Sequence, residues 1–312
     1  CLFFEEGVTW ADLFDEGVAW AQKQLNIAQD YYGGKAHQDI AKALQNVGIS
    51  YMHIGNLKAA LKYHNQALAM QKSIQRNQGS DTDISDYYNK VGVILWKSGK
   101  SKEALPYFEK ALEEKKRLSQ DIKNEDTALY LHHKGRVLDH LGRYHEALRA
   151  FETALGIRRH IHSSQEHVRL AEALNEVGTA FIKLKRAKQL PKECEESFSM
   201  YNRLLQGQEN KWMTVALNNM GTAFSLLGKY IEALPYYRRA VIMSFRIHRK
   251  EHYLLTDHLK NLVNTLGELA DTVLIQQAQQ EILPLCIQYL GKDHELTKAL
   301  SAVGGNEEQE NP

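Results

Sequence analysis

One pattern returns six times along this chain, and a chain that repeats at a fixed period is restricted to stacked copies of one small structural unit. Its first full copy reads Leu44–Val47–Gly48–Tyr51, then Gly55, then Ala60, Ala67 and Leu68. The frame recurs as Val91–Gly92–Leu95–Gly99–Ala104–Phe108–Ala111 and as Leu131–Gly135–Leu138–Gly142–Ala147–Phe151–Ala154. A weaker copy, Leu174–Val177–Gly178–Phe181, continues into Lys185, Leu190, Cys194 and Ser197. A strong one follows at Leu217–Met220–Gly221–Phe224–Gly228–Ala233–Tyr237–Ala240. The last, Leu259–Leu262–Val263–Leu266, has no glycine and carries Ile275 and Ile282 at the alanine sites. The anchors stand at 48, 92, 135, 178, 221 and 263, so the spacings are 44, 43, 43, 43 and 42.

Each part of the frame has a physical reason. Large apolar residues three and four apart form the stripe of a helix packed on one side. A small residue at the anchor lets two helices cross closely, and the alanine pair does the same on the second helix. The second glycine stands where a helix must stop, because it takes the left-handed conformation that ends one. With only 5 Pro in 312 residues, the composition favours helix throughout. Eleven residues before each anchor stand His37, Asp81, Asn124, His167, Asn210 and His252. Asp and Asn there cap the first helix of each unit, and a neutral His does so more weakly. The predicted unit is therefore a helical hairpin.

The units resemble tetratricopeptide repeats, in the long variant of about 42 residues found in kinesin light chains and nephrocystin-like proteins. The resemblance is carried by Tyr32-Gly33-Gly34-Lys35-Ala36-His37-Gln38-Asp39-Ile40-Ala41, by Ala216-Leu217-Asn218-Asn219-Met220-Gly221, and by Pro106 and Pro235. It runs over about residues 17–304. It implies an all-α, right-handed solenoid (an α–α superhelix) of stacked hairpins. On that frame residues 1–40 hold N-terminal capping helices or a partial repeat, with Leu2, Phe3, Phe4, Trp10, Phe14, Trp20 and Leu25 covering the first hairpin. Six units follow at 41–80, 84–122, 127–166, 170–209, 213–251 and 255–289, within 41–289. A capping helix spans 290–304, and 305–312 form a polar, disordered tail. The degenerate stretch Lys185–Ser197 is read as a hinge or specialised contact.

Few residues of the chain form a pattern that carries chemistry. Lys+Arg 39 against Asp+Glu 38 excludes bulk-charge binding to nucleic acid or anionic membrane. No apolar run approaches the roughly 18 residues of a membrane span. Cys1, Cys194 and Cys286 have no metal spacing and suggest reduced thiols in the cytoplasm. His248-Arg249-Lys250-Glu251-His252 has a metalloprotease spacing, but His252 is a capping position and no third ligand is identifiable. Gly99-Lys100-Ser101 ends like a phosphate loop, yet Ile94 stands where its first glycine belongs. Cys194 occupies the core position of Phe or Tyr in other units. His132-His133, His160, His162 and His167 are read as exposed or joint residues. No catalytic residue, metal or cofactor is expected.

The family resemblance implies a concave face lined by the first helix of each unit, where a peptide binds. Carried over position by position, it names Asn89, His132, Asn175, Asn218 and Lys260 three residues before the anchor. One residue after come Arg136, Thr179, Thr222 and Asn264; farther on come Trp96, Lys97, His140 and Lys183. The Asn and Thr side chains suit a peptide backbone. Lys97, Arg136 and Lys183 outnumber Asp139, which favours an acidic partner. The expected function is a protein-interaction adaptor or scaffold that holds a peptide segment or a partner domain in that concave face. The alternative is a sensor module of a larger multidomain signalling protein.

Overall fold

In the computed structural model the described residues are 10–78, 83–118, 123–163, 165–186, 188, 190–248 and 253–304, less the side chains of 10–15, 78, 190, 191 and 248. They form helices α1 (Trp10–Tyr31), α2 (Gln38–His53), α3 (Leu57–Gln78), α4 (Ser85–Lys97), α5 (Ser101–Leu118), α6 (Glu125–His140) and α7 (Tyr144–His162). They continue with α8 (Val168–Lys183), α9 (Leu190–Leu204), α10 (Lys211–Leu226), α11 (Tyr230–His248), α12 (Tyr253–Gly267), α13 (Thr272–Tyr289) and α14 (Glu295–Ala302). There is no strand among the described residues. The fold is all-α, a tetratricopeptide-like solenoid of helical hairpins. Residues 1–157 and 158–312 form two compact units. In the first, α2 pairs with α3 and α4 with α5, and each second helix packs on the next first helix. In the second, α8 pairs with α9, α10 with α11, and α12 follows α11.

The closeness of each pair rests on the anchor glycine. A Cβ added at Gly48 would stand 2.5 Å from the His64 ring, and one at Gly92 2.9 Å from the Phe108 ring. At Gly135 the distance to Phe151 is 2.5 Å, at Gly178 it is 2.8 Å to Cys194 Sγ, and at Gly221 it is 2.8 Å to Tyr237. Sixteen residues after each glycine, a side chain of the second helix fills the space its missing Cβ leaves. The frame extracted from the sequence overlooked His64 at this site, because a histidine does not match an apolar template. It is 1% exposed and neither ring nitrogen has a hydrogen-bond partner. Burial holds its pKa down at about 4.

Helix ends follow the expected chemistry. Gly55, Gly99, Gly142 and Gly228 have φ of +72° to +77°. The residue after each donates its backbone N–H to a carbonyl five residues back, as Asn56 does to Tyr51 at 2.9 Å. At the starts, Asn124 Oδ1 accepts from Thr127 N–H at 3.0 Å, and Asn210 Oδ1 from Trp212 N–H at 2.7 Å. His37 and His167 cap through Nδ1 at 3.2 and 3.1 Å. Asp81, His252 and with it the H-x-x-E-H motif, Leu2 to Phe4 and the tail 305–312 lie outside the described residues.

Two expectations need correction. Trp20 is 64% exposed and does not cover the first hairpin; Ala21 and Leu25 do. His132 and His133 are partly buried, their rings 6.1 Å from Phe151 and 5.6 Å from Phe108 respectively. In the stretch read as a hinge or specialised contact, Lys185, Cys194 and Ser197 differ from the other units in residue type and hold the same places. Lys185 itself adopts φ +54°, with Arg186 N–H bonded to Phe181 O at 2.9 Å, as at the glycines. Cys194 is fully buried at the aromatic position, and Ser197, at the small-residue position, donates to Ala171 O at 2.9 Å. The second unit ends in a core of Ile275, Ala278, Ile282, Cys286, Leu296 and Leu300. Gln279 stands where other units place an aromatic. Its Nε2 donates to Leu300 O at 2.7 Å and Val303 O at 2.9 Å, tying down the end of α14.

Candidate interaction face

In the first unit the nominated residues sit on α4 and α6. The Arg136 guanidinium lies over the Trp96 ring, 4.8 Å from its centroid, and the His140 ring meets Trp96 edge-on at 6.1 Å. Trp96 is half-buried, while Lys97 and His140 are exposed. This places an aromatic surface among three basic side chains on adjacent first helices, a geometry suited to an anionic or amide-bearing ligand. Spacing explains it. Arg136 and His140 are four apart, hence one turn apart on one face of α6, and Trp96 has the position of Asp139, the residue before His140, one repeat earlier.

Asn89 is placed differently. It is 4% exposed, and its Oδ1 stands 2.8 Å from Nδ1 of His133 on the next first helix. Gln45 Nε2 reaches Asp86 Oδ2 at 3.4 Å in the same sense. His132 packs against Phe151 and His133.

The second unit repeats this logic. Asn175 is 2% exposed and its Nδ2 donates to Trp212 O at 2.9 Å. Asn218 accepts from Asn261 Nδ2 at 3.0 Å. The Thr179 hydroxyl donates to Asn175 O at 3.0 Å and accepts from Asn219 Nδ2 at 3.2 Å. The Thr222 hydroxyl donates to Asn218 O at 2.9 Å and accepts from Tyr237 at 3.0 Å. A hydroxyl has one proton to give, so neither threonine retains a donor for a ligand. Lys183, Lys260 and Asn264 are exposed. Three residues that sequence reasoning missed, His133, Asn219 and Asn261, all stand two before an anchor. Their signal was the recurrence of a polar residue at that position. The polar row therefore joins neighbouring hairpins, and the accessible chemistry lies in the residues around it.

The chemistry that was set aside gains nothing from the geometry. Cys194 and Cys286 are buried, and burial pushes both thiols up to about 12. Among the described residues no three His, Cys, Asp or Glu side chains stand together to hold a metal, and no helix is long and apolar enough to cross a membrane.

Two family models, each described as tetratricopeptide repeat, match the chain, one over residues 9–73 and 83–160 and the other over 214–252. Together they cover more than half of it. No curated protein sequence matches significantly. Among solved structures, the chain is similar to BtubC (BKLC) from P. vanneervenii at 13% identity and TM-score 0.64, covering 77% of this chain and 94% of that one. The nearly identical repeats of a kinesin light chain from Podosopora anserina give 15% identity and TM-score 0.57, covering 69% and 99%. A signal transduction ATPase with numerous domains and a tetratricopeptide repeat sensor, from Pyrococcus horikoshii, gives 17% and 0.61, covering 84% and 39%.

Proposed function

Because the chain belongs to the tetratricopeptide repeat family, we propose that it is a protein-interaction module, an adaptor or scaffold without a catalytic step, that holds a peptide segment on its first helices. The observation that carries the reading is the Trp96–Arg136–His140 cluster. Arg136 and neighbouring Lys97 supply positive charge around an aromatic plane that the His140 ring meets edge-on, and the partner read from this is an acidic peptide. Lys183, Lys260 and Asn264 hold the equivalent repeat positions within the second unit. Asn89 and Asn175 are removed from the direct contacts and become residues that hold the face in shape, since both are buried. A cytoplasmic setting fits the two buried free thiols.

The test is fluorescence polarisation against a panel of peptides of graded acidity. Wild type is compared with Trp96→Ala/Arg136→Glu and with Lys102→Glu on α5. Binding that strengthens with peptide acidity and falls at least about tenfold in the double variant alone supports the reading. Equal binding by all three proteins removes the site from this face. The second reading, a sensor module, is favoured by the fold shared with the sensor-bearing ATPase. It predicts that ligand changes the protein's scattering profile, whereas an adaptor keeps it.

A further inference from the structure

The second helices of the fifth and sixth hairpins carry a groove of their own. It runs along the exposed side of α11, between Glu209 in the joint before α10 and Glu281 of α13, and encloses about 410 Å³. Sites that take a ligand run from about 300 to 1,000 Å³. The repeat frame shows what sets this place apart. Seventeen and eighteen residues after the anchor, just past the aromatic of the core, the other second helices carry Asn65-Gln66, Glu109-Lys110, Glu152-Thr153, Glu195-Glu196 and Gln280-Glu281. None of those pairs is net positive. In α11 the same two places hold Arg238-Arg239.

Two of the three arginines in the groove are already matched. Arg238 Nε donates to Glu281 Oε2 at 2.7 Å, and Arg246 Nη1 donates to Glu209 Oε1 at 2.9 Å. The second of these pairs belongs to the stack, because Arg203 and Glu166 hold the same places one repeat earlier and bond at 2.6 Å. Arg239 differs. Its guanidinium lies over the Phe198 ring of α9, 4.7 Å from the centroid, and has no carboxylate partner among the described residues. Stacking orders this cation without neutralising it, so a ligand meets a fork already held in place. Pro235 one turn before it and half-buried Ile242 one turn after it give the same helix face an apolar floor.

The lining states the chemistry of what fits. Three arginines against two glutamates leave one positive charge, which matches one carboxylate; a phosphate dianion would face both glutamates with a charge uncompensated. Each Arg–Glu pair presents N–H donors beside carboxylate acceptors, the two partners that a peptide backbone needs. From Pro235 to Arg246 the helix runs about 16 Å, the length of about five extended residues. In an extended chain alternate side chains share one side. We propose that this groove binds an extended segment of a partner polypeptide, with one acidic side chain on Arg239 and, two residues to either side, apolar side chains on Pro235 and Ile242. The site is built from second helices and stands whether or not a peptide binds on the first helices.

The probe is a fluorescein-labelled peptide, Gly-Leu-Ser-Glu-Ser-Leu-Gly, amidated so that its end adds no carboxylate. Two relatives carry glutamine or phosphoserine in place of its glutamate. The starting protein is Trp96→Ala/Arg136→Glu, in which the face of the first helices is disabled, and it is compared with the same protein carrying Arg239→Gln or Arg239→Lys. Arg239 is exposed, so folding is retained and is checked by circular dichroism. The expected result is saturable binding of the glutamate peptide to the starting protein, at least about tenfold weaker for the glutamine peptide and for Arg239→Gln, with Arg239→Lys between the two. Equal binding by the Arg239→Gln protein, equal binding of the glutamine peptide, or no saturable binding overturns the proposal. Tighter binding of the phosphoserine peptide overturns it in favour of a phosphate site. Binding by wild type that the starting protein has lost overturns it as well, and assigns the peptide to the first helices.

Discussion

A side chain at Gly135 would begin 2.5 Å from Cε1 of Phe151, closer than a real Cβ ever comes to a neighbouring carbon. Gly135→Ala therefore has to displace a fully packed ring. Alanine gains up to about 1 kcal/mol of helix propensity over glycine, while overpacking a core costs about 1–3 kcal/mol. The second effect wins, and urea denaturation is expected to show a net loss. At Gly178 the only close neighbour is the Cys194 sulfur at 2.8 Å, a smaller group to move. Gly178→Ala should cost less than Gly135→Ala, and the reverse order would refute the packing account.

His64 makes the first hairpin sensitive to acid. Its unfolded pKa is 6.5, and burial, with a smaller push from Lys90 against the opposing pull of Asp86, lowers the folded value to about 4. Above pH 6.5 neither state is charged. Between 6.5 and about 4 the unfolded chain binds a proton that the folded one refuses, so stability falls with pH by about 1.4 kcal/mol per unit. His64→Phe restores the residue of later repeats and removes two unsatisfied nitrogens. Its stability should be higher at pH 7 and flat through that window; a slope equal to wild type would locate the acid sensitivity elsewhere.

Lys185 performs in the fourth hairpin the task that Gly55, Gly99, Gly142 and Gly228 perform elsewhere. Its φ of +54° crowds its Cβ, at a cost of about 1 kcal/mol. Lys185→Gly should raise the melting temperature. Gly142→Lys should lower it by a similar free energy, because φ there is +73°.

Lys115 bridges Asp83 and Asp126, with Nζ at 2.6 and 2.8 Å, and ties α5 to the starts of α4 and α6. Its ammonium is largely covered, but both carboxylates are more than a third exposed. The bridge is correspondingly discounted to about 1 kcal/mol. Lys115→Met should lose that amount at low ionic strength and less in molar salt. A salt-independent loss would assign the effect to packing of the lysine stem.

Cys194 and Cys286, with pKa values of about 12, should resist thiol reagents in the native protein and react on unfolding. The measurement is a Cys1→Ser variant titrated with a chromogenic disulfide with and without denaturant. Rapid native labelling of either cysteine would contradict its burial.

The period, the pairing of helices, their stops at Gly55 or Gly142 and their caps at Asn124 or Asn210 were legible in the sequence. Each depends on interactions within a few residues, or on a small residue whose reason for being small is the same in every copy. His64, Gln279 and Ser197 were not legible, because each keeps its place in the packing while changing chemistry, and a template of residue types discards it. The candidate face was half legible. The sequence placed Asn89, Asn175, Trp96 and Arg136 on the first helices by register alone. Only the tertiary structure decided that the two asparagines are buried in bonds to the next hairpin while Trp96 and Arg136 stack together. The reason is distance along the chain: those partners lie some 37 to 44 residues away. Which polar group is satisfied internally and which stays available depends on what the neighbouring hairpin brings within 3 Å, and period alone does not contain that.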